Sequence, residues 1–327
     1  MHMSDALLSA PVAIAADVVA AGLLALSASR LKKEKKDNLV ALMGVMGAFI
    51  FAAQMVNFSI PGTGSSGHIV GGVLLAALLG SWAGFITLSS VLVIQCLVFA
   101  DGGLMALGCN IVNMGAMTAL VAYPLVFRPL LRFPASGWKV TGVSVLACVA
   151  GLELGACMVT LETMFSGITA LPAGKFFLLM TGIHLAIGVG EGLATAAVLL
   201  FVQKSQPSLL MPESAKTASR RSVRGAVIGF AVAAAVIAGG LAFLASSDPD
   251  GLEWSIGKVA GTADLAAGHA GALSEGAARI QTATSVMPDY DSSFAGIAGA
   301  AMVLILVWAV TGLITRTRRH AAASRAR

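Results

Sequence analysis

Charged residues are scarce in this chain. Only 11% of its 327 residues are Asp, Glu, Lys or Arg, whereas soluble domains carry about 25%. Aromatic residues are also few, at 6%, while 57% of the residues are hydrophobic and 37 are glycine. This composition argues against a soluble enzyme and a disordered chain, and the continuous apolar runs argue against a transmembrane β-barrel. The remaining class is an all-α, polytopic membrane protein.

Several motifs are absent as well. No cysteines form a CxxC pair, so the four are predicted to be buried apolar side chains: Cys96, Cys109, Cys148 and Cys157. No basic face is interleaved with aromatic residues, which speaks against nucleic-acid binding. No GxxxxGK[ST] loop is present to bind ATP. No basic residue precedes the first apolar run, so we expect no cleaved signal and a mature chain that begins at Met1, because His at position 2 disfavours removal of the initiator Met.

Long apolar runs predict nine membrane-spanning helices, since one span needs about 20 apolar residues. The stretch 69–100 is too long for one span, and Gly80-Ser81-Trp82-Ala83-Gly84 interrupts it. We therefore expect two helices there, joined by a tight turn. The other runs lie near 8–29, 38–58, 110–127, 140–164, 175–202, 226–245 and 294–314.

The positions of the basic residues predict the orientation. With nine spans, 18 of the 21 Lys and Arg residues fall on one side of the membrane. Because cytoplasmic loops carry the excess of Lys and Arg, the N-terminus is predicted outside and the C-terminus inside.

A change in composition divides the chain. Residues 204–225 are polar and basic and contain two prolines, which is typical of a cytoplasmic linker. It separates a seven-span N-terminal unit, 1–203, from a two-span C-terminal unit, 226–327. The latter has an external loop at 246–293, whose Ala-rich part, 262–283, could form a helix on the outer surface.

The first residues suggest a metal-binding site. The α-amine of Met1, the amide nitrogen of His2 and its imidazole Nδ1 can close two fused chelate rings of five and six members. Three nitrogens in a plane suit Ni²⁺ or Cu²⁺ better than Zn²⁺ or Mg²⁺. The alternative is a frayed terminus without a ligand.

A second histidine strengthens this hypothesis. The Gly-rich segment from Asn57 to His68 is predicted to be an external loop on the same face as the N-terminus. His68 could therefore supply a fourth nitrogen, with Ser65, Ser66 and Gly67 allowing the loop to fold tightly. A local hydrogen-bonding role at a helix start is the alternative for His68.

The chain resembles a known family at this point. Met1-His2-Met3-Ser4-Asp5-Ala6, the block from Ala52 to His68, the run Asp101–Asn110 and the run His184–Gly192 are similar to the substrate-binding M component of energy-coupling-factor (ECF) cobalt/nickel transporters. Asp248-Pro249-Asp250-Gly251-Leu252-Glu253-Trp254 is similar to the signature of the small N component, which has two spans and an external loop. The chain thus looks like a fusion of the two components.

This resemblance implies a fold and a function. The fold is a seven-helix ECF substrate-binding bundle with two additional helices, in the cell inner membrane. The metal ligands would be the Met1 amine, the His2 amide and imidazole, and His68. The chain would be a transport subunit rather than an enzyme, importing Ni²⁺ or Co²⁺ as substrate without an organic cofactor. A transmembrane coupling subunit and two cytoplasmic ATPase subunits would complete the transporter, and the affinity order of a planar nitrogen set favours nickel.

Polar residues inside apolar runs are costly and mark function or a packed interior. Asp17, Glu153, His184 and Glu191 are of this kind. His184 and Glu191 lie two turns apart on one helix face, so both can point into the bundle. We favour hydrogen bonds across helices or bracing of the binding loops over an ion pathway or proton relay. Ordering of external loops is likewise favoured for Asn57, Ser65, Ser66, Asp101 and Asn110.

Two rival functions remain open. Gly64-Ser65-Ser66-Gly67 with His184 could be the Ser–His pair of an intramembrane protease, which requires nucleophile and base in hydrogen-bond contact. That interpretation places Ser66 in an external loop and His184 near the middle of the membrane. The other rival is a proton-coupled metal carrier that depends on Glu191 and not on His2.

Overall fold

The computed structural model describes residues 1–32, 39–210, 220–263, 272–290 and 294–325. Within these residues, the regular secondary structure is helical apart from one short β-hairpin. The helices are α1 (Ala10–Leu31), α2 (Leu39–Gln54), α3 (Gly72–Leu79), α4 (Ser81–Phe99), α5 (Leu107–Leu130, wound as a π-helix over Ile111–Phe127), α6 (Gly137–Ser166), α7 (Ala173–Ser205), α8 (Arg220–Gly239), α9 (Gly251–Ala260), α10 (Ala272–Thr284) and α11 (Ala295–Arg325). The all-α, polytopic class predicted from composition is confirmed.

The number of full spans differs from the prediction. Among the described residues, six helices are long and apolar enough to cross a membrane: α1, α4, α5, α6, α7 and α11. The break at Gly80 is present, with φ +94° at that residue. However, α3 has only 8 residues, or about 12 Å of rise, less than half the hydrocarbon core. α2 and the apolar part of α8, Arg224–Gly239, are shorter apolar helices among the described residues, so six of the nine predicted spans are present there at full length.

Small residues bring α6 and α7 into close contact. A Cβ on Gly188 would lie 2.8 Å from Cα of Val149, and one on Gly192 would meet Val145 in the same way. Glycine at these positions allows the two backbones to approach. The packing fixes the face of α7 that carries His184 and Glu191, which are 1% and 0% exposed.

A short hairpin follows α2. Strand β1 (Phe58–Ile60) pairs antiparallel with β2 (Ser65–Gly67), with Ser59 opposite Ser66. The predicted external loop is therefore ordered by backbone pairing. His68 follows β2 directly.

The C-terminal unit packs onto the N-terminal unit. α11 and α8 lie against α2, and α9 packs on α7 and β2. The middle of the linker, 211–219, and part of the predicted Ala-rich helix, 264–271, lie outside the described residues. The rest of that helix is present as α10.

Candidate functional site

The N-terminus is packed into the protein. Met1 and Met3 are 4% and 0% exposed. The side-chain amide of Asn110 accepts from Met3 N–H at 2.8 Å and donates to the Met3 carbonyl at 3.3 Å. The backbone N–H of Gly103 donates to the same carbonyl at 2.9 Å. These bonds fix the backbone directly after His2, and the frayed terminus is not observed.

His2 and His68 lie face to face. Their ring centroids are 5.4 Å apart with an interplanar angle of 23°. Nδ1 of His68 lies 3.1 Å from the Ile69 carbonyl, so Nε2 is the nitrogen left for a metal. Burial, the N-terminal ammonium and His2 lower the pKa of His68 from 6.5 to about 4. The ring is therefore neutral near pH 7, which is the form that binds metals.

The loop that carries His68 is held from α7. The two carboxylate oxygens of Glu191 accept from the backbone N–H groups of Val70, at 2.8 Å, and Gly71, at 2.9 Å. Gly71 has φ +82° and a Cβ there would lie 2.6 Å from Cδ1 of Ile50, so glycine is required. Glu191 thus braces the turn between His68 and α3.

His2 has two polar neighbours. Its Nε2 lies 3.3 Å from Oε1 of Gln95. Its Nδ1 lies 3.3 Å from Oδ1 of Asp101, whose other oxygen accepts from the Tyr290 hydroxyl at 2.7 Å. Asp101 therefore connects the N-terminus to the external loop of the C-terminal unit.

The segment Asp248–Trp254 reaches the site. Ser66 donates its hydroxyl to the Asp248 carbonyl at 2.7 Å and its backbone N–H to the Pro249 carbonyl at 2.8 Å. Ser65 donates its hydroxyl to the Pro249 carbonyl at 3.3 Å. The indole N–H of Trp254 donates to the Thr63 carbonyl at 3.0 Å. The hairpin and the segment are therefore joined by several backbone contacts.

Asp250 binds the N-terminal amine. Its Oδ2 lies 2.6 Å from the Met1 nitrogen. Its Oδ1 caps α9 by accepting from the backbone N–H groups of Leu252 and Glu253. Burial alone would raise the pKa of Asp250, but the adjacent ammonium more than offsets this and holds that pKa well below its usual range. The carboxylate is therefore charged and paired with the first residue of the chain.

Gly251 allows this approach. A Cβ there would lie 2.9 Å from Cδ1 of Ile187 and 3.0 Å from Cε1 of His184. Met1 and His184 line the same small cavity, so His184 lies beside the N-terminus rather than in a separate region of the bundle. Its Nδ1 interacts with the Met180 carbonyl at 2.7 Å, whereas the Ser66 hydroxyl bonds to Asp248. The Ser66–His184 contact that a protease would need is not observed.

A cavity of about 880 Å³ lies between the two units. Its wall includes both histidines and acidic residues from each unit: His2, His68, Asp5, Asp101, Asp248, Asp250 and Glu253. Among the described residues, no three His, Cys, Asp or Glu side chains form a group that could hold a metal ion.

Two other candidates make local hydrogen bonds. Asp17 accepts from Gly108 N–H at 3.0 Å, and the Asn57 carbonyl accepts from Ser246 N–H at 2.8 Å. Oε1 of Glu153 is buried without a hydrogen-bond partner among the described residues. Gln54, Gln95 and Glu162 lie in apolar runs but were not predicted as site residues. The two glutamines are neutral, and only charged residues and histidine were considered in those runs; Glu162 would have qualified by the same criterion. Glu162 accepts from Asn113 at 2.6 Å.

The chain is similar to known transport proteins over most of its length. A protein of Archaeoglobus fulgidus assigned as a fused nickel transport protein, NikMN, is 34% identical over 319 residues, which are 95% of this chain and 98% of that protein. The fused nickel transport protein NikMN of Rhodobacter capsulatus is 29% identical over 98% of this chain and 99% of its own. The cobalt transport protein CbiM of Geobacter sulfurreducens is 30% identical over 64% of this chain and 61% of its own.

A solved structure and two family models agree with these relatives. The crystal structure of a transition metal transporter is 28% identical, with a TM-score of 0.55, covering 63% of this chain and 94% of its own. Residues 224–316 match the PDGLE domain. Residues 2–209 match the model of the cobalt uptake substrate-specific transmembrane region. The chain therefore belongs to the CbiM family of cobalt uptake substrate-specific transmembrane proteins and carries a PDGLE domain after that region.

Proposed function

We propose that this chain is the substrate-binding membrane subunit of an ECF-type importer of Ni²⁺ or Co²⁺. The ion is captured from outside by the Met1 amine, the His2 amide and Nδ1, and Nε2 of His68. The observation that carries this proposal is that two facing imidazoles line the cavity between the units, while Asp250 in its wall holds the N-terminal amine. The planar nitrogen set favours Ni²⁺ over Co²⁺ in affinity.

In this proposal, the two units have different roles in metal binding. Residues 1–203 supply the ligands, 204–225 form the linker, and 226–327 close the site from outside. Asp250 supports this division, because it holds the amine that the metal would bind. The metal competes with Asp250 for that amine, so the C-terminal unit sets the starting position of the ligand.

Energy coupling is assigned to other subunits. The sequence has no phosphate-binding loop of the GxxxxGK[ST] type, so we propose that a transmembrane coupling subunit and two ATPase subunits act in trans. On this proposal, the chain alone binds the ion and does not hydrolyse ATP.

Metal content and X-ray absorption of the purified chain test the proposal. We expect about one Ni or Co per chain with a nitrogen shell, lost in His68→Ala and in His2→Ala. His320→Ala is the matched control, because His320 follows the last apolar run and is predicted to lie on the opposite side of the membrane. No bound metal in the wild type after loading with Ni²⁺ and Co²⁺ would overturn the proposal.

An insertion tests the chelate itself. One Ala inserted between Met1 and His2 adds a second five-membered ring, so that the amine, two amide nitrogens and Nδ1 fill all four positions of the plane and leave none for His68. We therefore expect Ni²⁺ binding by the insertion variant to become insensitive to His68→Ala and its uptake in cells to be impaired. Ni²⁺ binding by the insertion variant that depends on His68 as it does in the wild type would rule out the amine–amide–imidazole arrangement.

A further inference from the structure

Two buried glutamines connect His2 to the backbone beside His68. Gln54 and Gln95 are 4% and 1% exposed. The side-chain N–H₂ of Gln54 donates to the Val70 carbonyl at 2.8 Å. A carbonyl oxygen can only accept, so the Gln54 amide must turn its nitrogen to Val70 and its oxygen the other way.

The direction of every hydrogen bond between Val70 and His2 follows from the Val70 carbonyl. Oε1 of Gln54 accepts from the N–H₂ of Gln95 at 2.8 Å. Gln95 therefore presents Oε1 to Nε2 of His2, at 3.3 Å. Reversing either amide would set oxygen against oxygen or nitrogen against nitrogen in a buried place, and each unpaired group there costs about 1–3 kcal/mol.

Oε1 of Gln95 only accepts, so Nε2 of His2 must carry the proton in this bond. A neutral imidazole has one proton-bearing nitrogen and one free lone pair. With the proton on Nε2, the free lone pair is on Nδ1. Only Nδ1 can close a six-membered ring with the amide nitrogen of the same residue.

We propose that Gln54 and Gln95 are positioning residues that keep Nε2 of His2 protonated and so reserve Nδ1 for the metal. The inference rests on the proposed function, in which Nδ1 of His2 is a ligand. Asp101 lies on the Nδ1 side, also at 3.3 Å, and as an acceptor it competes with Gln95 for the proton of the neutral ring. Metal binding at Nδ1 replaces this contact with Asp101. The outer partner of a metal-binding histidine commonly fixes its tautomer in this way.

The nitrogen NMR spectrum of the metal-free full chain in detergent, labelled with ¹⁵N-histidine, tests this directly. His2 is assigned by comparison with His2→Ala. In the wild type we expect a proton-bearing Nε2. In Gln95→Leu we expect the proton to move to Nδ1, since Asp101 is then the acceptor that decides the tautomer.

Ni²⁺ affinity of matched variants separates tautomer control from simple packing. We expect a fall of about 10- to 100-fold in Gln95→Leu. Gln95→Glu should recover most of that loss and the Nε2–H form, because a carboxylate still accepts from His2 although it cannot donate to Gln54. A purely structural role would damage both variants alike. Gln203→Leu is the control, since Gln203 bonds only the backbone of Ala135 in the described chain, away from the site.

The outcomes are distinct. A bare Nε2 on His2 in the wild type overturns the inference, even if Gln95→Leu fails to fold. Equal loss of affinity in Gln95→Leu and Gln95→Glu, with the tautomer unchanged, also overturns it. A wild-type chain that binds neither Ni²⁺ nor Co²⁺ would instead remove the proposed function, while the tautomer could still be measured.

Discussion

A 2.6 Å ion pair joins the first residue of the chain to Asp250, 249 positions later. The Met1 side chain is 2% exposed and that of Asp250 is 18% exposed. Two charges in such a place must be paired, because an isolated buried charge is far more costly than the pair. The same carboxylate caps α9, so one side chain fixes both the N-terminus and the segment that covers it.

Asp250→Asn should therefore destabilise the metal-free protein and release its N-terminus. Asn remains a good helix cap, so the substitution mainly removes the negative charge that pairs with the Met1 amine. We expect the free energy of unfolding to fall by about 3–5 kcal/mol and the amine to react faster with an acylating reagent. Denaturant unfolding in detergent and N-terminal labelling measure the two effects.

Asp248→Asn is the control for this change. The Asp248 carboxylate accepts from the hydroxyls of Ser59 and Ser246 near the surface, so its loss should change stability by less than about 0.5 kcal/mol. Equal labelling rates in the wild type and Asp250→Asn would show that the ion pair does not hold the N-terminus.

His68 gives the protein a pH dependence at the residue scale. Burial lowers its pKa from 6.5 to about 4, so the unfolded chain takes up this proton at a higher pH than the folded chain. The stabilisation from neutral His68 is complete above pH 6.5 and is lost as the pH falls towards 4, an effect of about 3 kcal/mol at most. Unfolding temperatures of the metal-free protein should rise more steeply from pH 4 to 6.5 in the wild type than in His68→Asn. Parallel curves would contradict a buried, neutral His68.

Sequence reasoning reached the candidate ligands but not their surroundings. His2 was found because the chelate chemistry depends on residue type and on position from the N-terminus, and His68 because it ends a Gly-rich loop predicted on the same face. The contacts of Gln95 with His2 and of Asp250 with Met1 depend on the approach of segments far apart in the sequence. No local periodicity records such an approach.

At the scale of elements, the hairpin loop is attached to α7 through one carboxylate. Glu191 is buried, and its two carboxylate oxygens accept hydrogen bonds from the N–H groups of Val70 and Gly71. Gly188 and Gly192 fix α7 against α6 on either side of it in sequence. The position of His68 thus depends on how closely two long helices pack.

Glu191→Gln should loosen this loop. The amide keeps one acceptor but turns its N–H₂ towards the other backbone N–H, which leaves a buried donor unpaired at a cost of about 1–3 kcal/mol. We expect Ni²⁺ affinity to fall about 10- to 100-fold, measured by competition with a metal-binding dye. Glu153→Gln is the control, because Oε1 of Glu153 has no partner among the described residues.

The same variant tests the rival carrier hypothesis. If Glu191→Gln binds Ni²⁺ normally but no longer supports uptake in cells, Glu191 acts in proton coupling rather than as a brace. A loss of affinity that matches the loss of uptake supports the bracing role.

Helix positions followed from hydropathy better than helix lengths did. The break at Gly80 was predictable because glycine interrupts a run of about 30 apolar residues. The short α3 was not, because residues 69–71 are apolar yet lie in the loop that Gln54 and Glu191 hold. Hydropathy reports burial, and a loop buried inside protein has the same signature as a helix in lipid.

At the scale of the whole molecule, the C-terminal unit contacts both the candidate site and one side of the N-terminal bundle. Tyr290 stacks on Phe99 with ring centroids 4.6 Å apart, and Gln281 donates to the Gly102 carbonyl at 2.7 Å. α11 packs along α2 and α4. We therefore expect the segments that contact the site to stay in place only while this helix is docked.

A single glycine allows that docking and so offers a test. A Cβ on Gly299 would overlap the Phe51 ring and lie 2.9 Å from Phe99. Both rings are fully buried and have little room to move, so Gly299→Leu should cost about 1–3 kcal/mol or more in overpacking.

After cleavage at a protease site engineered into 211–219, the two units should stay together in detergent in the wild type and separate in Gly299→Leu. Gly229→Leu, in α8, should behave as the wild type, because nothing lies within 4 Å of its added Cβ. If the Gly299→Leu units stay together as firmly and still bind Ni²⁺, the contacts at the external segments suffice to hold the units, and α11 is dispensable for closing the site.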